Sequence, residues 1–111
     1  MITVQVTYTV HDEYVPTNKE NIALFIRDFG KIKSNAFRYR VYQKSNGNTF
    51  VHISEFEDEV IQAKILREPA FVHFQQQRDL NLKSAPAIEF LNHVGNAGIF
   101  MGFEEKQNSD S

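Results

Sequence analysis

Alternation opens the chain. Ile2, Val4, Val6, Tyr8 and Val10 take every second position, and Thr3, Gln5, Thr7 and Thr9 fill the places between. A period of two built from Val, Thr and Tyr predicts a strand. The period then lengthens: Ile22, Phe25, Ile26 and Phe29 recur at helical spacing and predict a helix with one apolar stripe. Thr17 and Glu20 have the spacing of a capping box at its start, and Gly30 with the following lysines suits its end.

The stretch RYRVYQKSNGNTFVHISEFEDE, from Arg38 to Glu59, reads as a hairpin. A two-residue turn at Asn46-Gly47 pairs Tyr42 with Val51 and Arg40 with Ile53, which mixes charge and apolar groups on one face. A three-residue loop, Ser45-Asn46-Gly47 with Gly47 at positive φ, pairs Val41 with Val51, Tyr39 with Ile53, Arg40 with His52 and Tyr42 with Phe50. A slip of one residue turns every side chain to the other face, so the register that sorts the faces is the one expected. That is the three-residue loop, which gathers Phe37, Tyr39, Val41, Val51 and Ile53 on the apolar side.

Further on, Asp58 suits the cap of a short helix containing Val60, Ala63 and Leu66. Pro69 suits the first turn of another, with Phe71 and Phe74 on its apolar edge. APAIEFLNHVGNAGIF, from Ala85 to Phe100, reads as a last strand bent or bulged at Gly95 and Gly98. The order β-α-β-β-α-β defines an α+β, ferredoxin-like protomer: four antiparallel strands with the helices on one face. A single domain over residues 1–103 is expected, with 104–111 a disordered tail. The second sheet face is expected to carry Tyr42, Phe50 and either Leu91 or Phe90 among Gln5, Thr7, Arg40 and His52. Such an amphiphilic face calls for a cover, and a homodimer closing sheet on sheet supplies one.

Composition narrows the classes. The chain has 111 residues, no Cys and a formal charge of −2. Disulfides and Cys-based metal sites are excluded. The charge argues against a nucleic-acid surface, and no run is long and apolar enough to span a membrane. The N-terminal segment reads as a strand rather than a signal peptide, so a cytoplasmic protein is expected. Glycine-rich phosphate loops and nucleophile elbows are missing from the sequence.

The segment YRVYQKSNGNTFVHISEFEDE, above all NTFVHISEFED, resembles the antibiotic biosynthesis monooxygenase-like group of dimeric α/β-barrel proteins. Length and element order agree over about residues 2–100, and Glu68-Pro69-Ala70-Phe71 resembles the start of that group's second main helix. The resemblance implies a dimeric α/β barrel with a pocket between sheet and helices. Many members have a pattern like E-x-[FWY]-x-D-x-x-A-x-x-x-H here. Aligned on Phe56 and Asp58, this chain has Ser54 in place of the Glu, Ile61 in place of the Ala and Ile65 in place of the His. No His stands where the haem-degrading branch takes its iron ligand.

His52 is the leading candidate for chemistry. Its ordinary pKa suits a general base for an acidic phenol. Arg40 would stabilise the phenolate, Tyr42 would donate a hydrogen bond, and Phe50 would stack on the ring. Ser54, Gln5, Thr7 and His93 complete the expected ligand contacts, with His93 also placed to pair with Glu89. The plainer reading makes His52 and Arg40 a polar layer in a dimer interface. His93 and His52 lack the defined spacing of a metal site, and His11, Asp12 and Glu13 read as a solvated loop. The expected function is a cofactor-independent monooxygenase acting on a small phenolic or quinol-like aromatic. The alternative is a ligand-binding or structural barrel without turnover.

Overall fold

The computed structural model describes residues 1–98. Strand β1 (Ile2–Thr9) leads through a short 3-10 turn (Asp12–Tyr14) into helix α1 (Val15–Gly30). The hairpin β2 (Phe37–Gln43) and β3 (Thr49–Phe56) follows, then helices α2 (Glu59–Leu66) and α3 (Pro69–Asp79), and strand β4 (Ala87–Leu91). The strands form one antiparallel sheet in the order β2-β3-β1-β4. The expected element order therefore stands, with the second helical stretch broken into two at Pro69. The domain end at 103 and the tail 104–111 lie outside the described residues.

The helix starts follow from local chemistry. Asp58 caps α2, its Oδ1 accepting from Ile61 N–H at 2.9 Å, and Pro69 sits in the first turn of α3. Asp58→Ala should cost about 1 kcal/mol in urea unfolding, the usual worth of such a cap; an unchanged midpoint would show the bond to be idle. Helix α1 begins before the expected capping box. Tyr14 is its N-cap and Pro16 occupies the first turn, so Thr17 and Glu20 lie inside the helix. The 3-10 turn already feeds the chain into helical geometry, and proline's fixed φ continues it.

The hairpin register differs from the one expected. Tyr42 pairs with Val51, Val41 with His52, Arg40 with Ile53 and Tyr39 with Ser54. The connection is a four-residue loop, 45–48, closed by Lys44 N–H to Thr49 O at 2.8 Å. A four-residue loop has the parity of a two-residue turn, so all side chains of one arm change face relative to a three-residue loop. Gly47, at φ 92, donates its N–H to Lys44 O at 3.0 Å, and Asn46 Oδ1 accepts from Asn48 N–H at 3.2 Å and Thr49 N–H at 3.1 Å. The side chain of Asn46 thus satisfies backbone donors that a tighter loop would have paired directly.

The helix-facing side of the sheet consequently carries Tyr8, Phe37, Tyr39, Val41, Phe50, His52 and Phe56, which pack with Phe25, Phe29, Phe71 and Phe74. Ring centroids 4.9–6.3 Å apart and mostly tilted or edge-on make this an aromatic core. The opposite side carries Thr3, Gln5 and Thr7 of β1, Arg38, Arg40 and Tyr42 of β2, Val51, Ile53 and Glu55 of β3, and Glu89 and Leu91 of β4. Arg38 and Glu55 form an ion pair there at 2.6 Å. Leu91 rather than Phe90 belongs to this open face. The last strand ends at Leu91, well short of the expected Phe100, and Asn92 to Ala97 take no strand geometry.

Candidate functional site: a buried tyrosine–histidine line beside an edge groove

His52 sits in the middle of β3 and is 2% exposed. Two phenols hold it: the Tyr8 hydroxyl lies 2.8 Å from Nε2 and the Tyr39 hydroxyl 2.8 Å from Nδ1. Asn18 of α1, fully buried, donates from Nδ2 to the Tyr8 oxygen at 3.0 Å, and its Oδ1 has no partner. A neutral imidazole has one donor and one acceptor, so one phenol gives a proton to it and the other receives one. With Asn18 donating, the consistent order is Tyr8 O–H to Nε2 and Nδ1–H to the Tyr39 oxygen. Turning the Asn18 amide over reverses the line: Tyr39 O–H to Nδ1, Nε2–H to the Tyr8 oxygen, Tyr8 O–H to Oδ1. Both orders are complete head-to-tail lines.

The electrostatics keep this line uncharged. Burial pushes the His52 pKa down to about 3, and the Arg78 guanidinium pushes the same way. Burial drives both Tyr8 and Tyr39 well above the usual phenol range, against the smaller lowering effects of Asn18 and Arg78 on Tyr8 and of Arg78 on Tyr39. Arg78 of α3 lies over the Tyr8 ring at 5.2 Å and the Phe74 ring at 5.3 Å. Its charge is answered by Asp79, whose Oδ1 accepts from Nε at 3.1 Å and Nη2 at 2.9 Å.

Next to the line, a groove of about 580 Å³ runs between α1 and the edge strand β2. Ile22, Ala23 and Ile26 form the helical wall, and Val41, Phe50 and Tyr39 form much of the strand wall. Lys19, Arg40, Tyr42 and Gln43 complete it. The size and apolar walls suit a small ligand. Tyr39 belongs to both features: it lines the groove and its hydroxyl reaches His52.

The expected site residues are thus divided. Arg40, Tyr42 and Phe50 all border the groove, but Arg40 and Tyr42 belong to the open face and Phe50 to the helix face. His52 does not pair with Arg40 across the hairpin; the loop parity sends it to the helix side, where Tyr8 and Tyr39 hold it. Ser54 is buried on that same side. Gln5 and Thr7 lie on the open face, where Gln5 Nε2 donates to Glu89 Oε1 at 3.4 Å. His93 lies beyond the end of β4 and pairs with Asn96 at 2.8 Å rather than with Glu89. Among the described residues no group of three or more His, Cys, Asp and Glu is placed to hold a metal. Sequence reading missed Asn18, Tyr8, Tyr39 and Arg78. The available signal was polarity on an apolar stripe: Asn18 is in phase with Phe25 and Phe29, and Arg78 with Phe71 and Phe74.

The architecture is that of a ferredoxin-like α+β protomer. No protein-family model and no curated protein matches the chain. Solved structures do match its fold. An antibiotic biosynthesis monooxygenase superposes with a TM-score of 0.73 at 11% identity, over 86% of this chain and 100% of its own. A conserved protein from Methanosarcina mazei Go1 gives 0.70 at 19% identity, over 84% and 92%. A variant of SnoaB, a cofactor-independent oxygenase from Streptomyces nogalater, gives 0.65 at 15% identity, over 86% and 94%. The chain therefore has the antibiotic biosynthesis monooxygenase fold. Among the described residues, no helix is long and apolar enough to cross a membrane.

Proposed function

We propose that this protein is a cofactor-independent monooxygenase of the cytoplasm that oxidises a small phenolic or quinol-like aromatic, and that it works as a homodimer closed through the open sheet face. The observation that carries the reading is Tyr39, which joins a ligand-sized groove to the buried His52 line. The fold it shares with a cofactor-independent oxygenase supports it. A phenol in the groove would lose its proton to solvent, and in the order that starts from Asn18 the Tyr39 O–H, which accepts from His52 and is itself free to donate, would hold the phenolate oxygen. The electron-rich anion would then transfer an electron to oxygen, and radical recombination would form a C–O bond. Loss of water from the hydroperoxide leaves a quinone: one oxygen atom enters the ring, the other leaves as water, and the substrate supplies the electrons.

His52 acts here through Tyr39 and is a positioning residue. Oxygen uptake with 1-naphthol and related phenols, in metal-free buffer, tests the reading. Tyr39→Phe should lower turnover by roughly 10²–10³-fold, the usual worth of one donor to a developing oxyanion. Equal uptake by both proteins would remove the line from the mechanism.

A second reading, ligand binding without turnover, is favoured by one observation: both His52 nitrogens are occupied and the ring resists protonation down to about pH 3. Binding of phenols without any oxygen uptake would establish it.

The dimer has its own check. Ile53 and Val51 lie on the open face in the middle of β3, flanked by Arg40 and Tyr42 of β2 and by Gln5 and Thr7 of β1. A sheet-to-sheet contact should bury on the order of 2,000 Å² or more in total. Sedimentation should show a dimer at micromolar concentration, and Ile53→Glu should yield a folded monomer. A monomeric wild type would overturn the assembly.

A further inference from the structure

The open face of the sheet is ordered in rows. Residues directly opposite each other on neighbouring strands share a face. The register therefore sets Arg40, Ile53, Gln5 and Glu89 in one row across β2, β3, β1 and β4. Tyr42, Val51, Thr7 and Ala87 form the row on one side of it, and Arg38, Glu55, Thr3 and Leu91 the row on the other. Arg38 is answered within its own row by Glu55. Arg40 and Glu89 are not answered in theirs. They stand exposed on opposite edge strands, three strand spacings of about 4.8 Å apart. Among the described residues neither enters an ion pair, and Glu89 has only the 3.4 Å contact from Gln5 Nε2. One edge of the face thus carries a cation and the other an anion, at the same level.

A second copy can close on this face about a two-fold axis in two ways. An axis across the strands lays β2 on the partner's β2 and β4 on the partner's β4, which brings cationic edge to cationic edge and anionic to anionic. An axis along the strands exchanges the edges and keeps the rows level. It lays β2 on the partner's β4, so Arg40 meets the partner's Glu89, and the bulky Tyr42 meets the small Ala87 of the partner subunit. Both contacts occur twice in the dimer. Like charges brought together oppose association, whereas complementary ones fix partner and register.

We propose that two copies of this chain close about a two-fold axis running along the strands, with Arg40 and the partner's Glu89 as the ion pair that selects this arrangement; this rests on the sheet-to-sheet dimer of the proposed function. The usual crossing of about 30° between aligned sheets shifts the edge rows by less than the reach of an arginine side chain.

Sedimentation over a concentration series tests it on the full chain, with wild type, Arg40→Glu, Glu89→Arg and an equimolar mixture of the two variants. Each variant alone should dimerise about a hundredfold more weakly than wild type, because its dimer would hold two like-charge contacts in place of two ion pairs. The mixture should recover the dimer, since one chain then offers two anions where the other offers two cations. Circular dichroism confirms the fold of each variant. Variants that dimerise as tightly as wild type would overturn the pairing and leave the sheet-to-sheet dimer standing. A mixture no better associated than its components would do the same. A monomeric wild type would defeat the dimer itself, and this inference with it.

Discussion

Phe25→Ala should destabilise the protein by about 3–5 kcal/mol, close to the upper range for a buried aromatic cut to alanine. Phe25 is fully buried. Its ring lies 4.9 Å from Phe74, 5.0 Å from Phe71, 5.2 Å from Phe29, 5.4 Å from Tyr39 and 6.1 Å from His52. Removing it strips packing from both helix α3 and the sheet, and opens a cavity beside the polar line. The neighbours cannot collapse freely, because Tyr39 and His52 are tied by their hydrogen bond. Since domains are generally stable by only about 5–15 kcal/mol, the variant should be near its folding threshold. Leu24→Ala, one residue away but 41% exposed, should change stability by less than about 1 kcal/mol. Urea unfolding followed by circular dichroism compares them. Similar midpoints for the two variants would mean that the aromatic cluster is not the centre of the core.

Much of this fold was legible in period and punctuation. The alternation of Ile2 to Val10 predicted β1, the spacing of Phe25 and Phe29 located the buried stripe of α1, and Asp58 and Pro69 marked helix starts that the structure reproduces. The register of the hairpin was not legible, because Asn46-Gly47 fits loops of either parity. The principle used to choose between them, clean separation of charged and apolar faces, failed for a physical reason. A histidine is acceptable in a core when both nitrogens find partners, and Tyr8 and Tyr39 supply them. Those phenols fall in phase with the apolar residues of their strands, so nothing in β1 or β2 alone distinguishes them from packing aromatics. The candidate site was correspondingly half visible. Arg40, Tyr42 and Phe50 do border one groove, but the register puts Arg40 and Tyr42 on the face opposite Phe50, and the contact with His52 runs through Tyr39, which the expected register had assigned to the apolar face only.

Stability should fall in acid because of His52, and the window follows from its pKa. Unfolded, the imidazole titrates near 6.5; folded, it stays neutral down to about pH 3. Between those values the unfolded chain binds a proton that the folded chain refuses, so stability rises with pH across this window and is lost as pH falls through it. Above about pH 6.5 the residue contributes no slope. At about 1.4 kcal/mol per unit, the drop from pH 7 to pH 4 should approach about 3 kcal/mol from this residue. No carboxylate makes a contact with the ring that would offset the cost: its neighbours are Tyr8, Tyr39, Phe25 and Phe74, with Arg78 as the nearby charge. His52→Gln keeps a donor and an acceptor at the same place and cannot titrate. It should be less stable than wild type at pH 7, because the amide cannot fill both hydrogen bonds in the imidazole geometry. It should also lose about 3 kcal/mol less between pH 7 and pH 4, so the two curves converge or cross in acid. Urea midpoints at half-unit pH intervals give the comparison, and the difference between the proteins removes the common contribution of surface carboxylates. Parallel curves would mean that His52 is protonated in the folded protein well above pH 3, and with that the neutral line from Asn18 to Tyr39 would have to be abandoned.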